Sequence, residues 1–136
     1  MSQPPLFGTR EIYDVLAEKL NDDPKWLEKA NILNYTMTHV YTEPLNKVFT
    51  FRFEGGKLLG IEERDGPAPA DFVLIATPEV WERILVSQTL SPNVALVTRK
   101  LHVEGSMTTL LKHIGVFNYL LAVLTSLDPV MSRDDG

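Results

Sequence analysis

The residues from Ile114 to Leu124 read IGVFNYLLAVL, a run that is apolar almost all the way round a helix. Only Gly115 and Asn118 interrupt it. A helix with a single apolar stripe rests on a core. One that is apolar on every side needs partners in more than one direction. Three arrangements meet that need: burial in the core, pairing with another chain or a membrane surface, or roofing a cavity that a ligand fills. The run falls well short of the roughly 20 residues that span a bilayer.

Upstream, the hydrophobic period alternates between helix and strand. Ile12, Val15, Leu16 and Leu20 recur at helical spacing behind Thr9, the expected cap. Asp23-Pro24 restarts a second helix, with Trp26, Leu27, Ala30 and Leu33 as its stripe. From Asn34 the period becomes two. Tyr35, Met37, His39 and Tyr41 alternate with Thr36, Thr38, Val40 and Thr42. Phe49, Phe51 and Phe53 share one face of the next strand. Gly55-Gly56 marks a hairpin, and Leu59 and Ile61 share a face of the return strand. A three-strand antiparallel meander follows from this pattern.

After the turn-rich DGPAPA loop, Phe72 to Ala76 is a continuous apolar run, as in strands buried on both faces. Thr77-Pro78-Glu79 starts a helix carrying Trp81, Ile84 and Leu85 on one side. Leu90 to Asn93 breaks the pattern. Lys100 to Glu104 is a fifth strand. Strand, helix and strand in this order predict a crossover, right-handed if the two strands are parallel. Ser106 then caps a last helix, whose first turns set Met107, Leu110, Leu111 and Ile114 against Thr108, Thr109, Lys112 and His113. The tail from Ser132 to Gly136 is polar and is expected to fray.

Charge and chemistry exclude several functions. A net charge of -5 leaves no cationic footprint for nucleic acid. There is no cysteine, so neither disulfides nor thiolate chemistry are available. His39, His102 and His113 lack metal-ligand spacing. Neither a glycine-rich phosphate loop nor a nucleophile elbow is present. Glu62, Glu63 and Asp65, with His39 if the fold brings it close, are the best groups for acid-base work. A solvated strand edge is the simpler reading of them. The expectation is a non-enzymatic chain without metal or cofactor. Met1 to Arg10 lacks a basic-then-apolar leader, which makes the cytoplasm the expected location.

The run Lys100-Leu101-His102-Val103-Glu104-Gly105-Ser106, with the helix that follows it, resembles a strand-helix unit of the sterol carrier protein type 2 superfamily. Asp71 to Thr77 and the Trp81 helix are similar to that family's buried strand and its following helix. Arg99 stands where the family usually has Gly, and Ser106 where it usually has an acidic cap. The resemblance implies an α+β fold: a five-stranded mixed β-sheet covered on one face by helices, forming one domain over residues 1–136. It also implies an apolar tunnel between the sheet and the C-terminal helix, holding a fatty acid, acyl-coenzyme A, phospholipid or sterol-like ligand.

The expected walls are Phe49, Phe51 and Phe53 from the sheet and Trp81 and Leu85 from the middle helix. Met107, Leu110, Leu111, Ile114, Phe117 and Leu121 are expected from the last helix, with Leu111 facing the interior. The alternative is an interaction module, in which the apolar last helix forms a homodimer or docks on a lipid-related enzyme. Membrane contact is expected to be transient at most.

Overall fold

Every period-two run becomes a strand in the computed structural model, which describes residues 4–66 and 68–131. The polar tail from Ser132 lies outside these residues. The strands are β1 (Thr36–Tyr41), β2 (Lys47–Glu54), β3 (Lys57–Arg64), β4 (Phe72–Ala76) and β5 (His102–Gly105). They form one mixed sheet in the order β3-β2-β1-β4-β5. β1, β2 and β3 are the antiparallel meander, and β4 joins the far side of β1 in parallel.

β5 runs antiparallel to β4. The condition for a right-handed crossover between these two is therefore not met, and the parallel pair is β1 with β4. A second difference concerns the face of β3. Thr50 pairs with Glu62 and Arg52 with Leu59, so β3 carries one extra residue between them. Gly60, at φ +65°, supplies the left-handed conformation such a bulge needs. The alternation slips by one. Leu58 points into the core, while Leu59, expected to share a face with Ile61, is 36% exposed.

Among the described residues six helices accompany the sheet: α1 (Glu11–Asn21), α2 (Pro24–Lys29), α3 (Pro78–Leu85), α4 (Pro92–Val97), α5 (Met107–Lys112) and α6 (Ile114–Thr125). Asp23, Thr77 and Ser106 cap α2, α3 and α5 as expected. Arg10, not Thr9, takes the cap position of α1. The Thr9 hydroxyl instead lies just outside, where it accepts from the Glu11 N–H at 3.3 Å.

α4 has no counterpart among the elements expected from the sequence. Ser91-Pro92 obeys the same grammar as Thr77-Pro78, and the Ser91 hydroxyl accepts from the Val94 N–H. Six residues with only Ala95 buried present too little stripe to register as a period. Arg99 follows α4 at φ +61°, while the N–H groups of Lys100 and Leu101 both donate to the Ala95 carbonyl. The left-handed residue after a helix is usually Gly. Here Arg fills that role in the place where the resembled family carries Gly.

The core lies between sheet and helices. Register puts Met37, His39 and Tyr41 beside Phe49 and Phe51 on one side and Phe72, Leu74 and Ala76 on the other, all buried toward the helices. On the opposite face the fully buried Thr38 hydroxyl donates to the Ala68 carbonyl at 2.8 Å. The proline-rich loop thus partly covers that face.

Candidate functional site

α6 resolves the needs of its apolar surface in two ways. Val116, Phe117, Leu120 and Leu124 form a buried stripe at helical spacing. The helix packs against α1, α2 and α3. The Tyr119 hydroxyl donates to Asp23, the cap of α2, and its ring stacks on Trp26. That bond holds the Asp23 carboxyl below its ordinary range and pushes the Tyr119 phenol up. One flank of the helix is left over, and it roofs a cavity.

The floor of the cavity is sheet: Met37 and His39 from β1, Phe72 and Leu74 from β4, Leu101 and Val103 leading into and along β5. Leu96 of α4 and Leu110 of α5 form the sides. Ile114, Phe117, Asn118, Leu120 and Leu121 close the top. Its volume is about 40 Å³. That is room for roughly three waters, against roughly 300–1,000 Å³ for a pocket that takes a drug-sized ligand. The lining has no carboxylate, ammonium or guanidinium; its polar groups are His39 at the floor and Asn118, exposed, at the rim.

His39 is 1% exposed and sits in an aromatic cage. Trp81 stacks on it at 5.1 Å, and Tyr13 and Phe51 meet it edge-on. The Tyr13 hydroxyl lies 2.9 Å from His39 Nδ1 and 3.0 Å from the Tyr41 hydroxyl. Burial pushes His39 down to about 3, so the imidazole is neutral at physiological pH. The same burial raises both phenols.

The eleven expected wall residues separate into three groups. Leu110, Ile114, Phe117 and Leu121 line the cavity. Phe49, Phe51, Phe53, Trp81 and Leu85 do not: they are fully buried in the solid core. Tyr13 packs on Phe49 and Phe51, and Trp26 packs on Phe53. The reason is strand order. The cavity lies over β1, β4 and β5, while β2 is on the other side of β1.

Met107 and Leu111 are the third group, 53% and 63% exposed. Leu111 does not face the interior. The expected single helix breaks at His113 (φ -115°, ψ 29°), so α5 is a separate helix with no buried residue. Leu110 stays against the cavity, while Met107 and Leu111 are turned outward. Leu111→Ala is accordingly expected to change stability by no more than ~0.5 kcal/mol, as at ordinary surface positions. Leu120→Ala is expected to cost ~2–5 kcal/mol. Urea titration of the two variants checks the contrast.

The floor residues Met37, His39, Phe72, Leu74, Leu101 and Val103 were missed as a set. They come from β1, β4 and the segment leading into and along β5, and only the β1-β4 and β4-β5 pairings bring them together. The acid-base candidates do not gather there. Glu63 pairs with Lys47 at 2.9 Å and Glu62 with Arg64 at 2.6 Å on the edge strand. Asp65 borders the opposite face of the sheet. Among the described residues no cluster of three His, Asp or Glu side chains is arranged to hold a metal ion. Nor is any helix among them long and apolar enough to cross a membrane.

Comparison with known proteins gives this geometry a lineage. A structure described as sterol carrier protein 2 superimposes with a TM-score of 0.75 at 22% identity, covering 87% of this chain and 96% of that one. A conserved hypothetical protein of Thermus thermophilus, described as a possible sterol carrier protein, gives 0.76 at 22%, covering 97% and 96%. A sec-alkylsulfatase of a Pseudomonas species gives 0.56 at 21%, covering 78% of this chain but 16% of its own. At these identities the likeness is one of fold. No curated protein matches the sequence. The sequence model of the SCP-2 sterol transfer family matches residues 15–118. That span runs from α1 to α6 and takes in the whole sheet, the cavity floor and most of its roof; the chain belongs to the SCP-2 sterol transfer family.

Proposed function

We propose that this domain reversibly binds a hydrophobic ligand of the fatty-acyl, phospholipid or sterol-like class in the cleft between sheet and α5-α6, and transfers it without chemical change. The observation that carries this reading is an apolar, uncharged cavity roofed by a helix pair whose outer member, α5, has no fully buried residue. Family membership supports it independently. Burying a 16-carbon chain supplies on the order of 10 kcal/mol gross at ~0.8 kcal/mol per methylene, before ordering costs.

A cavity of about 40 Å³ does not hold such a chain, so entry requires α5 and the start of α6 to swing outward. α5 packs on α6 and holds no fully buried residue, so the contact such a motion chiefly has to break is that of Phe117 with Phe72. Native mass spectrometry with a panel of fatty acids, phospholipids and sterols is expected to show a one-to-one complex. Hydrogen exchange is expected to slow at 107–121 when that ligand is bound, with α1 and β2 unchanged. A chain that takes up no member of the panel overturns the reading.

The exposed Met107, Leu111 and Ile114 favour a second role, contact with another copy of the chain or a partner enzyme through the same helices. Light scattering with and without lipid distinguishes them: a stable dimer indifferent to lipid supports the interface, a lipid-binding monomer the carrier.

A further inference from the structure

Apart from the exposed Asn118 at the rim, the cavity lining has one polar group, the buried His39, and the hydrogen count there is uneven. Tyr41, Tyr13 and His39 form a chain of three polar groups sealed from solvent. Each phenol has one hydrogen to give. If Tyr41 donates to Tyr13 and Tyr13 donates to His39 Nδ1, both hydroxyls are used. The imidazole then carries its proton on Nε2. In the reverse order Nδ1 would donate to Tyr13 and Tyr13 to Tyr41, and the Tyr41 hydrogen would have no acceptor among the described residues. Nε2 would also face the sulfur of Met37, 3.3 Å away, with no hydrogen between them. The first order satisfies every group but one. The Nε2–H has only a thioether to donate to, a weak acceptor. Met37 and His39 both line the cavity floor.

We propose that the His39 Nε2–H is the donor that anchors the buried end of the ligand, so that the cleft selects a long-chain compound carrying an uncharged oxygen acceptor: an alcohol, a ketone or an ester. This rests on the lipid-binding reading and narrows it. The apolar walls accept the chain, and one hydrogen bond to its oxygen completes the group the protein leaves short. A free carboxylate is disfavoured, because the lining offers no cation to a buried anion. The groups packed on the imidazole are Tyr13 from α1, Met37 from β1, Phe51 from β2 and Trp81 from α3, with Tyr41 of β1 behind Tyr13, and none of them is charged at neutral pH.

The test is a cycle of two proteins and a chain-matched set: dodecane, dodecanol, methyl dodecanoate and dodecanoate near neutral pH. His39→Phe keeps a ring against Trp81 and removes the N–H. It is expected to weaken dodecanol and the methyl ester about tenfold, the scale of one buried hydrogen bond, and to leave dodecane within about twofold. In the wild type the ester is expected to bind at least ~10-fold tighter than the dodecanoate anion.

Imidazole nitrogen spectra of the wild-type protein provide a readout that does not depend on the variant folding. They are expected to show an Nε2–H tautomer whose proton shifts with dodecanol and not with dodecane. Equal losses for dodecane and dodecanol, an Nδ1–H tautomer, an Nε2 proton indifferent to dodecanol, or an anion bound as well as its ester each overturn the proposal while leaving lipid binding intact. Failure of every probe to bind overturns both.

Discussion

Trp81→Ala is expected to lower the unfolding free energy by ~3–5 kcal/mol, the usual cost of deleting a fully buried large aromatic side chain. Trp81 has no exposed surface. Its indole stacks on Tyr41 at 4.9 Å and on His39 at 5.1 Å, and its Nε1–H donates to the Val40 carbonyl at 2.9 Å. The substitution removes the plate that ties α3 to β1 and opens a void behind the cleft floor. Domains of ordinary stability have ~5–15 kcal/mol in all, so the variant loses a large share. Trp81→Phe is expected to lose less, since a ring remains while the donor to Val40 goes. Chemical denaturation of the three proteins measures this. A loss under ~1 kcal/mol for Trp81→Ala shows that the indole is not packed as described.

Acid is expected to destabilise the protein through His39. The folded state holds this imidazole at about 3 against an ordinary 6.5, because burial penalises its charged form. Below about 6.5 the unfolded chain takes up a proton that the folded chain refuses. Unfolding therefore binds protons, and stability falls as pH is lowered across that window. The slope approaches ~1.4 kcal/mol per pH unit, and the loss approaches ~5 kcal/mol at the low end. Above the window the histidine is neutral in both states and contributes no pH dependence. His39→Phe is expected to flatten the stability profile between these limits, although its absolute stability differs. Asp23, held low by Tyr119, adds a further loss only where its carboxyl protonates, at the acid end. Equal slopes for wild type and His39→Phe show that the imidazole is accessible to protons in the folded state.

The two residues link stability to the site. Trp81 backs His39, and His39 is at once a core aromatic and the polar group of the cavity floor. The fold itself is compatible with several settings, since it is also found within a much larger alkylsulfatase. The chemistry must therefore be argued from the cleft and not from the topology.

Much of the fold was legible in the residues taken one run at a time. Period two in β1 and β2 named the side chains that face the helices, because a strand turns alternate residues to opposite faces wherever it lies. Asp23-Pro24, Thr77-Pro78 and Ser106 marked helix starts, because capping is a bond between residues two or three apart. The all-round apolar α6 announced that something lay on more than one side of it. The candidate site was legible only in part: Leu110, Ile114, Phe117 and Leu121 were found, and its floor was not.

Tertiary structure decided the rest. Which strands become neighbours depends on contacts between distant residues, and local periodicity says nothing about it. That is why the phenylalanines of β2 proved to be core while Phe72 and Leu74 became cavity. Two single-residue events had the same reach. The extra Gly60 in β3 moved Leu58 inward and Leu59 out. The break at His113 turned Leu111 toward solvent, because a helical stripe keeps its direction only while the helix continues. The neutral, nearly unpartnered imidazole of His39 is of this kind too. Its sequence neighbours show a polar residue on a core face. Only the assembled cage of Tyr13, Phe51 and Trp81 excludes water from it, and it is that exclusion which sets both its charge and its need for a partner.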